Sequence, residues 1–205
     1  MNTEDKIQVI DLYNKSLSQY GDKAEAVQSR LVSQRYRFKV LTEIGCLEDE
    51  NILDYGCGKG DLYPYLVEMG FRGSYTGFDI NPELIDLTKQ KFPGTKFEVK
   101  EIEEDEVREK FSYVLISGIF NNRISDNWSF MKNVLTKCFD CTTKGLAFNA
   151  LSTYVNFRDP PLFYASPEET FRFCVSELSR YVTLRHDNLP FNYTVYVYRK
   201  GDWAT

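Results

Sequence analysis

The sequence predicts an α/β fold, a doubly wound sheet of seven strands that follows an N-terminal helical cap. Short apolar runs alternate with helical patterns from residue 51 onward, which is typical of βαβ units. A glycine-rich turn follows the first run, and an acid, Asp79, ends the second. The 205 residues can bury the core of one domain, so we expect a single domain with a cap at 1–45 and an α/β core at 46–205.

The cap is predicted from apolar residues that recur at helical spacing on both sides of Gly21. The first helix is expected from about residue 4, and the second from Ala24 to Ile44, where Gly45 stops it. We expect both helices to cover the carboxyl edge of the sheet. Ligands of open α/β sheets bind at that edge.

The remaining elements follow from length, capping residues and hydrophobic period. Asn81 is a helix N-cap, and Pro82 suits the first helical turn. The predicted parallel strands span 51–55, 74–79, 96–99, 111–117 and 144–149. The predicted helices span 61–69, 82–91, 127–139 and 168–180. Residues 101–109 are expected as a solvated acidic segment, 152–167 as a long loop, and 181–186 with 192–199 as a closing antiparallel hairpin.

The turn Gly56-Cys57-Gly58-Lys59-Gly60 indicates what kind of ligand the sheet binds. A dinucleotide site requires a third glycine where this chain has Asp61. Asp54 also precedes the turn, and carboxylates on both sides would repel a pyrophosphate. The acids therefore favour a ligand that carries positive charge and no phosphate.

With Asp54-x-Gly56-Cys57-Gly58-x-Gly60 in place, the chain resembles class I S-adenosylmethionine-dependent methyltransferases. The resemblance extends along most of the sequence and is closest to a group of small bacterial methyltransferases of unassigned substrate. It implies the methyltransferase variant of the doubly wound sheet, with an antiparallel last strand. It also implies S-adenosylmethionine as cofactor and S-adenosylhomocysteine as product.

The resemblance further implies which residues contact the cofactor. Asp79 would take the ribose hydroxyls, and Glu101 would touch the adenine. The complete set implied by the family pattern is Asp54, Gly56, Cys57, Gly58, Asp79, Ile80, Glu101, Ile102 and Ser117. Arg37, on the second cap helix, is a candidate to pair the cofactor carboxylate, although a surface salt bridge is an equal interpretation. Glu101 lies in an acidic run, for which a solvated face is the alternative.

The chain has a single histidine, His186, next to the predicted hairpin turn. An imidazole titrates near neutral pH, so His186 is the candidate general base, although a lone histidine is more often structural. The segments after strands four and five predict the substrate side, because long loops in compact domains usually carry function. The candidate substrate-binding residues are Phe120, Asn121, Asn149, Tyr154 and Tyr164.

Composition restricts the partners. A net charge of −5 disfavours a nucleic-acid or anionic membrane partner. Asp159-Pro160-Pro161-Leu162 resembles a motif of DNA amino-methyltransferases, but it lies beyond strand five and ends in leucine. Five irregularly spaced cysteines suit a reducing cytosol, and the lone Cys138-x-x-Cys141 pair does not predict a metal site. The N-terminus has no signal pattern, so a cytoplasmic location is expected.

The predicted function is methyl transfer from S-adenosylmethionine to an oxygen or nitrogen of a small polar molecule. The protein is expected to be a monomer or a homodimer. Two alternatives remain: a non-catalytic module that binds the same cofactor, and a nicotinamide-dependent oxidoreductase, against which Asp61 argues.

Overall fold

The structure, a computed structural model, describes residues 1–187 and 189–200. The strands of the described chain are β1 Asn51–Tyr55, β2 Ser74–Asp79, β3 Lys96–Val99, β4 Phe111–Ser117, β5 Thr142–Leu151, β6 Tyr181–Arg185 and β7 Asn192–Tyr198. The α-helices are α1 Thr3–Tyr20, α2 Leu31–Thr42, α3 Leu62–Glu68, α4 Pro82–Lys91, α5 Asn127–Asp140 and α6 Pro167–Phe173.

The seven described strands form one sheet in the order β3-β2-β1-β4-β5-β7-β6. Strands β1 to β5 run parallel, whereas β7 is antiparallel to both β5 and β6. The strand order reverses between β1 and β4, which is where ligands bind in such sheets. The predicted doubly wound sheet with a closing antiparallel hairpin is therefore confirmed.

Apolar side chains cover both faces of the sheet, and alternate residues of β1 show how the faces divide. Leu53 belongs to the core cluster that packs under α5, and Ile52 belongs to the cluster that packs under α2 and α3. Both residues are fully buried. Because the side chains of a strand alternate, Asp54 lies on the same face as Ile52, next to Tyr75 of β2.

The N-terminal cap differs from its prediction in one respect. Residues Ala24–Val27 form a short 3₁₀ turn, and α2 begins only at Leu31. Gln28 ends that turn in a left-handed conformation, with φ of 54°. This bend turns residues 27–29 toward the carboxyl edge of the sheet, where they line the cavity described below.

The C-terminal third also departs in detail from the sequence prediction. β5 is longer than expected, because it pairs with β4 on one side and with β7 along Gly145–Leu151 on the other. The predicted helix at 168–180 is the α-helix α6 followed by a π-helical turn at Cys174–Leu178. Asn188, which was expected in the hairpin turn, lies outside the described residues.

The glycine turn after β1 brings the tips of β1 and β2 together. Gly56, Gly58 and Gly60 have φ of 76°, 55° and 75°, a region that favours glycine. The amides of Gly56 and Cys57 both donate to the carbonyl of Phe78 at the end of β2, at 2.8 and 3.0 Å.

Along the part of the chain that the structure describes, no helix combines the length and apolar character needed to span a bilayer.

We predict that Gly56→Ala destabilises the protein more than Gly94→Ala does. Both glycines have positive φ, and an alanine there costs about 1–2 kcal/mol. At position 56 the new Cβ would also lie 2.0 Å from Ile119 Cγ2, whereas nothing lies within 4 Å at position 94. The overpacking should add about 1–3 kcal/mol to the loss in free energy of unfolding, measured in urea. Equal losses for the two variants would contradict the packing argument.

Candidate functional site

A cavity of about 290 Å³ lies at the carboxyl ends of β1, β2, β3 and β4. Its floor is the glycine turn and the strand tips, and its roof is formed by α1, residues 27–29 and α2. This size is near the lower end of the roughly 300–1,000 Å³ typical of ligand pockets. The cap thus covers the edge where the sheet was expected to bind its ligand.

Asp79 lies at the centre of the cavity floor. Its two carboxylate oxygens accept the amides of Gly58, at 2.8 Å, and Asn81, at 2.9 Å. Burial raises the pKa of Asp79, and the two amide hydrogen bonds oppose that shift. The carboxylate therefore holds the glycine turn and the start of α4, and a carboxylate has enough lone pairs to accept further hydrogen bonds from a ligand.

Asp54, two residues before the glycine turn, is a buried carboxyl group. Only 3% of the residue is exposed, and the hydroxyl of Tyr75 donates to its Oδ2 at 2.5 Å. Burial raises the pKa of Asp54 to about 7, and the nearby Asp79 and Asp61 add to the shift. A cationic group in the cavity would reverse this effect, because it favours the ionised carboxylate.

Glu101 is buried at the cavity, which contradicts its interpretation as part of a solvated acidic face. Only 4% of it is exposed, since α1 lies across it. Lys6 of α1 donates to Oε2 of Glu101, while Oε1 is buried and has no partner. The sequence offered no signal for the Lys6 contact, because the two residues are far apart in the chain.

Further polar contacts hold α1 over the sheet. Asp5, which is 7% exposed, accepts from the amide and the hydroxyl of Ser125. The Asn81 side chain donates to Asn14 at 2.7 Å, and Asn122 donates to the Tyr13 hydroxyl at 3.2 Å. The cavity is consequently closed by specific hydrogen bonds as well as by apolar packing.

Arg37 of α2 lines the cavity and has no carboxylate partner among the described residues. Its Nη2 donates to Ser29 Oγ at 2.6 Å, and its Nε is buried without a partner. Burial lowers the pKa of Arg37. Of the two interpretations of Arg37, the geometry therefore contradicts the surface salt bridge.

A group of ion pairs connects the cap to the glycine turn. Lys59, buried at 4% exposure, contacts Asp61 at 2.6 Å and Asp22 at 3.2 Å. Lys91 of α4 also contacts Asp22 at 2.6 Å, and Gln34 of α2 donates to Asp61 at 3.0 Å. Asp61 is thus held by partners from the cap and from the turn. Its position in the glycine pattern was visible in the sequence, but Lys59 and Gln34 were not expected as its partners.

The tip of β4 forms another wall of the cavity, through residues 117–119 and Asn121. The fully buried Asn149 of β5 fixes this tip, since its Oδ1 accepts the Gly118 amide at 3.0 Å and its Nδ2 donates to Ser117 at 3.2 Å. Asn149 does not line the cavity. The structure gives Asn149 a supporting position behind the strand tip, and its contact with substrate stays a prediction.

Three more predicted site residues do not line the cavity. Ile102 and Phe120, at 2% and 1% exposure, belong to the hydrophobic core under α5. Tyr164 lies on the long loop, where its hydroxyl accepts the Asp159 amide at 3.0 Å. The predicted site residues that line the cavity are Arg37, Asp54, Gly56, Cys57, Gly58, Asp79, Ile80, Glu101, Ser117 and Asn121.

His186 and Tyr154 lie together at a separate surface groove, bordered by Phe171 and Leu184. His186 Nε2 is 2.7 Å from Ser152 Oγ, and its ring stacks on Tyr193. Tyr154 is 62% exposed and donates to Glu168. Neither residue lines the cavity, so the general-base role of His186 and the substrate contact of Tyr154 stay predictions that this geometry does not support.

The segment Asp159–Leu162 lies beside the loop that follows β4. Arg123 donates to the carbonyls of Pro160, at 2.8 Å, and Leu162, at 3.0 Å, and Leu162 lines the cavity. This segment is distant from β4 in the sequence, but in the structure it lies beside the site. The acidic charge of the chain remains the argument against a nucleic-acid partner.

Comparison with known proteins agrees with this geometry. A family model described as a methyltransferase domain matches residues 47–152. "Putative methyltransferase Rv1506c" of Mycobacterium tuberculosis is 32% identical over 154 residues, which cover 72% of this chain and 92% of that protein. The relative "Putative methyltransferase 235L" of Invertebrate iridescent virus 6 is 25% identical over 75 residues, 37% of this chain and 28% of that protein.

Solved structures show the same fold at low sequence identity. Magnesium protoporphyrin IX methyltransferase from Synechocystis PCC 6803, solved with bound SAH, has a TM-score of 0.67 and 13% identity over 96% of this chain and all of its own. The DhpI-SAM-HEP complex has a TM-score of 0.70 and 12% identity over 98% of this chain and all of its own. At these identities the likeness establishes the fold.

We predict that Asp54 makes stability fall as pH rises. Its folded-state pKa of about 7 lies above the ordinary 3.8, so the folded state keeps a proton that the unfolded state releases between these values. The contribution of Asp54 to the free energy of unfolding is fully present below pH 4. It is lost as the pH rises to 7, by at most about 1.4 kcal/mol per pH unit. In urea unfolding, Asp54→Asn should gain stability relative to the parent across this range.

The control is Asp86→Asn, which removes an exposed carboxylate from α4. Its free energy of unfolding should follow the parent at every pH. The same pH profile for Asp54→Asn and Asp86→Asn would show that burial does not raise the pKa of Asp54.

Proposed function

The chain belongs to the class I S-adenosylmethionine-dependent methyltransferase family, and from that premise we propose that its cavity binds S-adenosylmethionine and transfers the methyl group to a small polar molecule. When bound, this cofactor supplies a methyl group activated by its sulfonium. The residues of the chain bind and orient both substrates and exclude water.

The amino-acid end of the cofactor matches Arg37 and Asp54. Arg37 is a buried cation without an acidic partner among the described residues, so a carboxylate would satisfy its free Nε. Asp54 is a buried carboxyl group on the floor of the same cavity, and an ammonium would stabilise its ionised form. Both groups lie near the glycine turn, where backbone without Cβ atoms leaves room for a ligand.

The adenosine end matches the tips of β2 and β3. Asp79 can accept from ribose hydroxyls in addition to its two amide donors. Glu101 Oε1 is a buried acceptor without a donor, and the adenine amino group would supply one. Ile80 offers an apolar surface beside Asp79 for the base. In the sheet, β2 lies between β1 and β3. The cofactor would therefore extend across the tips of these three strands.

The unpaired Arg37 and Glu101 atoms carry the proposal. Buried polar atoms are nearly always hydrogen-bonded, so two orphans of opposite character in one cavity support a ligand that has a carboxylate and a donor group. A pyrophosphate is a poor match, because Asp54, Asp61 and Asp79 all line the floor. This disfavours the nicotinamide-dependent alternative.

The acceptor is proposed to bind beyond the β4 tip, toward α1 and β7. That part of the lining contains Tyr13, Asn121, Asn122 and Asn192 beside Leu151 and Leu162. Amide and hydroxyl groups between apolar side chains suit a small polar molecule. A non-catalytic cofactor-binding module would not require this polar extension of the cavity.

We predict that Arg37→Met weakens S-adenosylmethionine binding by about 10–100-fold, because a charged hydrogen bond to a carboxylate contributes roughly 1.5–3 kcal/mol. Isothermal titration of the parent should show binding of S-adenosylmethionine and S-adenosylhomocysteine and none of NADH. The free energy of unfolding of the unliganded protein should fall by less than this loss in binding free energy, since Arg37 is buried without an acidic partner.

Arg35→Met is the matched control. Arg35 lies on the same helix but forms an exposed ion pair with Glu68, so its loss should leave the affinity unchanged. Failure of the parent to bind S-adenosylmethionine would overturn the proposed function. Equal affinity of the parent and Arg37→Met would overturn the assignment of Arg37.

A further inference from the structure

The unpaired polar atoms of the cavity also carry information about the methyl acceptor. Four buried side-chain polar atoms of the described chain lack a partner: Arg37 Nε, Glu101 Oε1, Asn121 Oδ1 and Thr142 Oγ1. Thr142 does not line the cavity. The proposed function, on which this inference rests, uses Arg37 and Glu101 for the cofactor. Asn121 Oδ1 then remains as an acceptor that no assigned ligand group satisfies.

Asn121 is held firmly at the end of the β4 tip. Its amide donates to Gly118 at 3.4 Å, and its carbonyl accepts the amide of Phe163 at 2.8 Å. The neighbouring Arg123 is bonded to Pro160 and Leu162, which fixes the long loop against this segment. The side-chain carbonyl of Asn121 therefore has a stable backbone beneath it.

A buried carbonyl oxygen favours a ligand that donates a hydrogen bond. An N–H or an O–H on the acceptor molecule meets this requirement. A carboxylate or a thiolate has no hydrogen to donate and would be repelled by the oxygen. The nucleophilic group is therefore one that carries hydrogen when it binds.

The titratable side chains of the lining distinguish an amine from an alcohol. Asp61 is paired with Lys59, whereas Asp79 and Glu101 are assigned above to the ribose hydroxyls and the adenine amino group of the cofactor. Asp54 accepts the Tyr75 hydroxyl and is assigned to the cofactor ammonium. Burial raises the pKa of Tyr13, so its hydroxyl stays protonated at neutral pH. His186 lies at the separate groove.

None of these described side chains is therefore available beside Asn121 as a general base. An alcohol must lose its proton as its oxygen attacks, which needs such a base. A neutral amine attacks through its lone pair and can lose its proton afterwards. We infer that the acceptor is a neutral amino group, which donates an N–H to Asn121 Oδ1 and is methylated on nitrogen.

The step balances without another reactant. The nitrogen lone pair forms a bond to the methyl carbon as the carbon–sulfur bond breaks, and that bond's electron pair goes to sulfur. The products are S-adenosylhomocysteine and a methylated ammonium group, which releases one proton to water. Asn121 acts in this step by directing the lone pair of the bound nitrogen toward the methyl group.

Three ring-matched probes test the inference: aniline, phenol and benzoate, each at millimolar concentration with [methyl-¹³C]S-adenosylmethionine. Aniline is neutral near pH 7, and the ¹³C shift distinguishes N-methyl from O-methyl products. We expect N-methylaniline and neither anisole nor methyl benzoate. Saturation-transfer NMR on the protein loaded with S-adenosylhomocysteine gives a second readout, in which aniline and phenol, which both donate a hydrogen bond, should bind more tightly than benzoate.

Variants connect this selectivity to Asn121. Asn121→Leu removes the acceptor oxygen and should reduce aniline binding and methylation by about tenfold, whereas Asn121→Asp keeps an acceptor and should lose much less. Both should bind S-adenosylmethionine like the parent in isothermal titration. Asn51→Leu, at the opposite end of the sheet, controls for the loss of an asparagine and should match the parent.

Three results would overturn the inference: no binding or methylation of aniline, equal or better methylation of phenol or benzoate, and an unchanged aniline response in Asn121→Leu. If one of these results is obtained with a parent protein that binds S-adenosylmethionine, the inference about the acceptor is wrong and the proposed cofactor site stands. If the parent does not bind S-adenosylmethionine, the proposed function itself fails.

Discussion

The turn after β1 joins two strand tips through a conformation that requires glycine. Gly56, Gly58 and Gly60 all have positive φ, and the amide of Gly58 reaches the Asp79 carboxylate at 2.8 Å. Gly56 packs so closely on Ile119, after β4, that no side chain would fit there. One turn therefore sets the spacing between β1, β2 and the β4 tip, and the floor of the cavity depends on that spacing.

The roof of the cavity depends on charged and polar contacts rather than on apolar packing alone. Lys6 reaches Glu101 at one end, and Gln34 reaches Asp61 at the other. Burying such groups costs free energy unless they are paired, so these contacts favour one position of α1 and α2. The same burial leaves Arg37 Nε and Glu101 Oε1 unpaired inside the cavity. A ligand that satisfied both atoms would also hold the cap against the sheet.

Several residues predicted for the site do not line the cavity, because a strand tip has two sides. Ile102 and Phe120 each lie next in the chain to a residue that lines the cavity, but their own side chains turn into the core. Asn149 supports the β4 tip from behind, through hydrogen bonds to Ser117 and Gly118. Position in a motif predicts that a residue is near the ligand. It does not predict which way the side chain points, because packing from other elements decides that.

Local patterns in the sequence determined the sheet, the glycine turn and most of the predicted residues that line the cavity. They are short-range features: glycines that permit positive φ, Asn81 as a cap, and apolar runs with a strand period. The tertiary structure alone decided which distant residues meet. It placed Lys6 on Glu101, left Arg37 Nε without a partner in the cavity, and placed His186 at another groove. Those outcomes depend on contacts between residues far apart in the chain, and no local pattern encodes the distances between them.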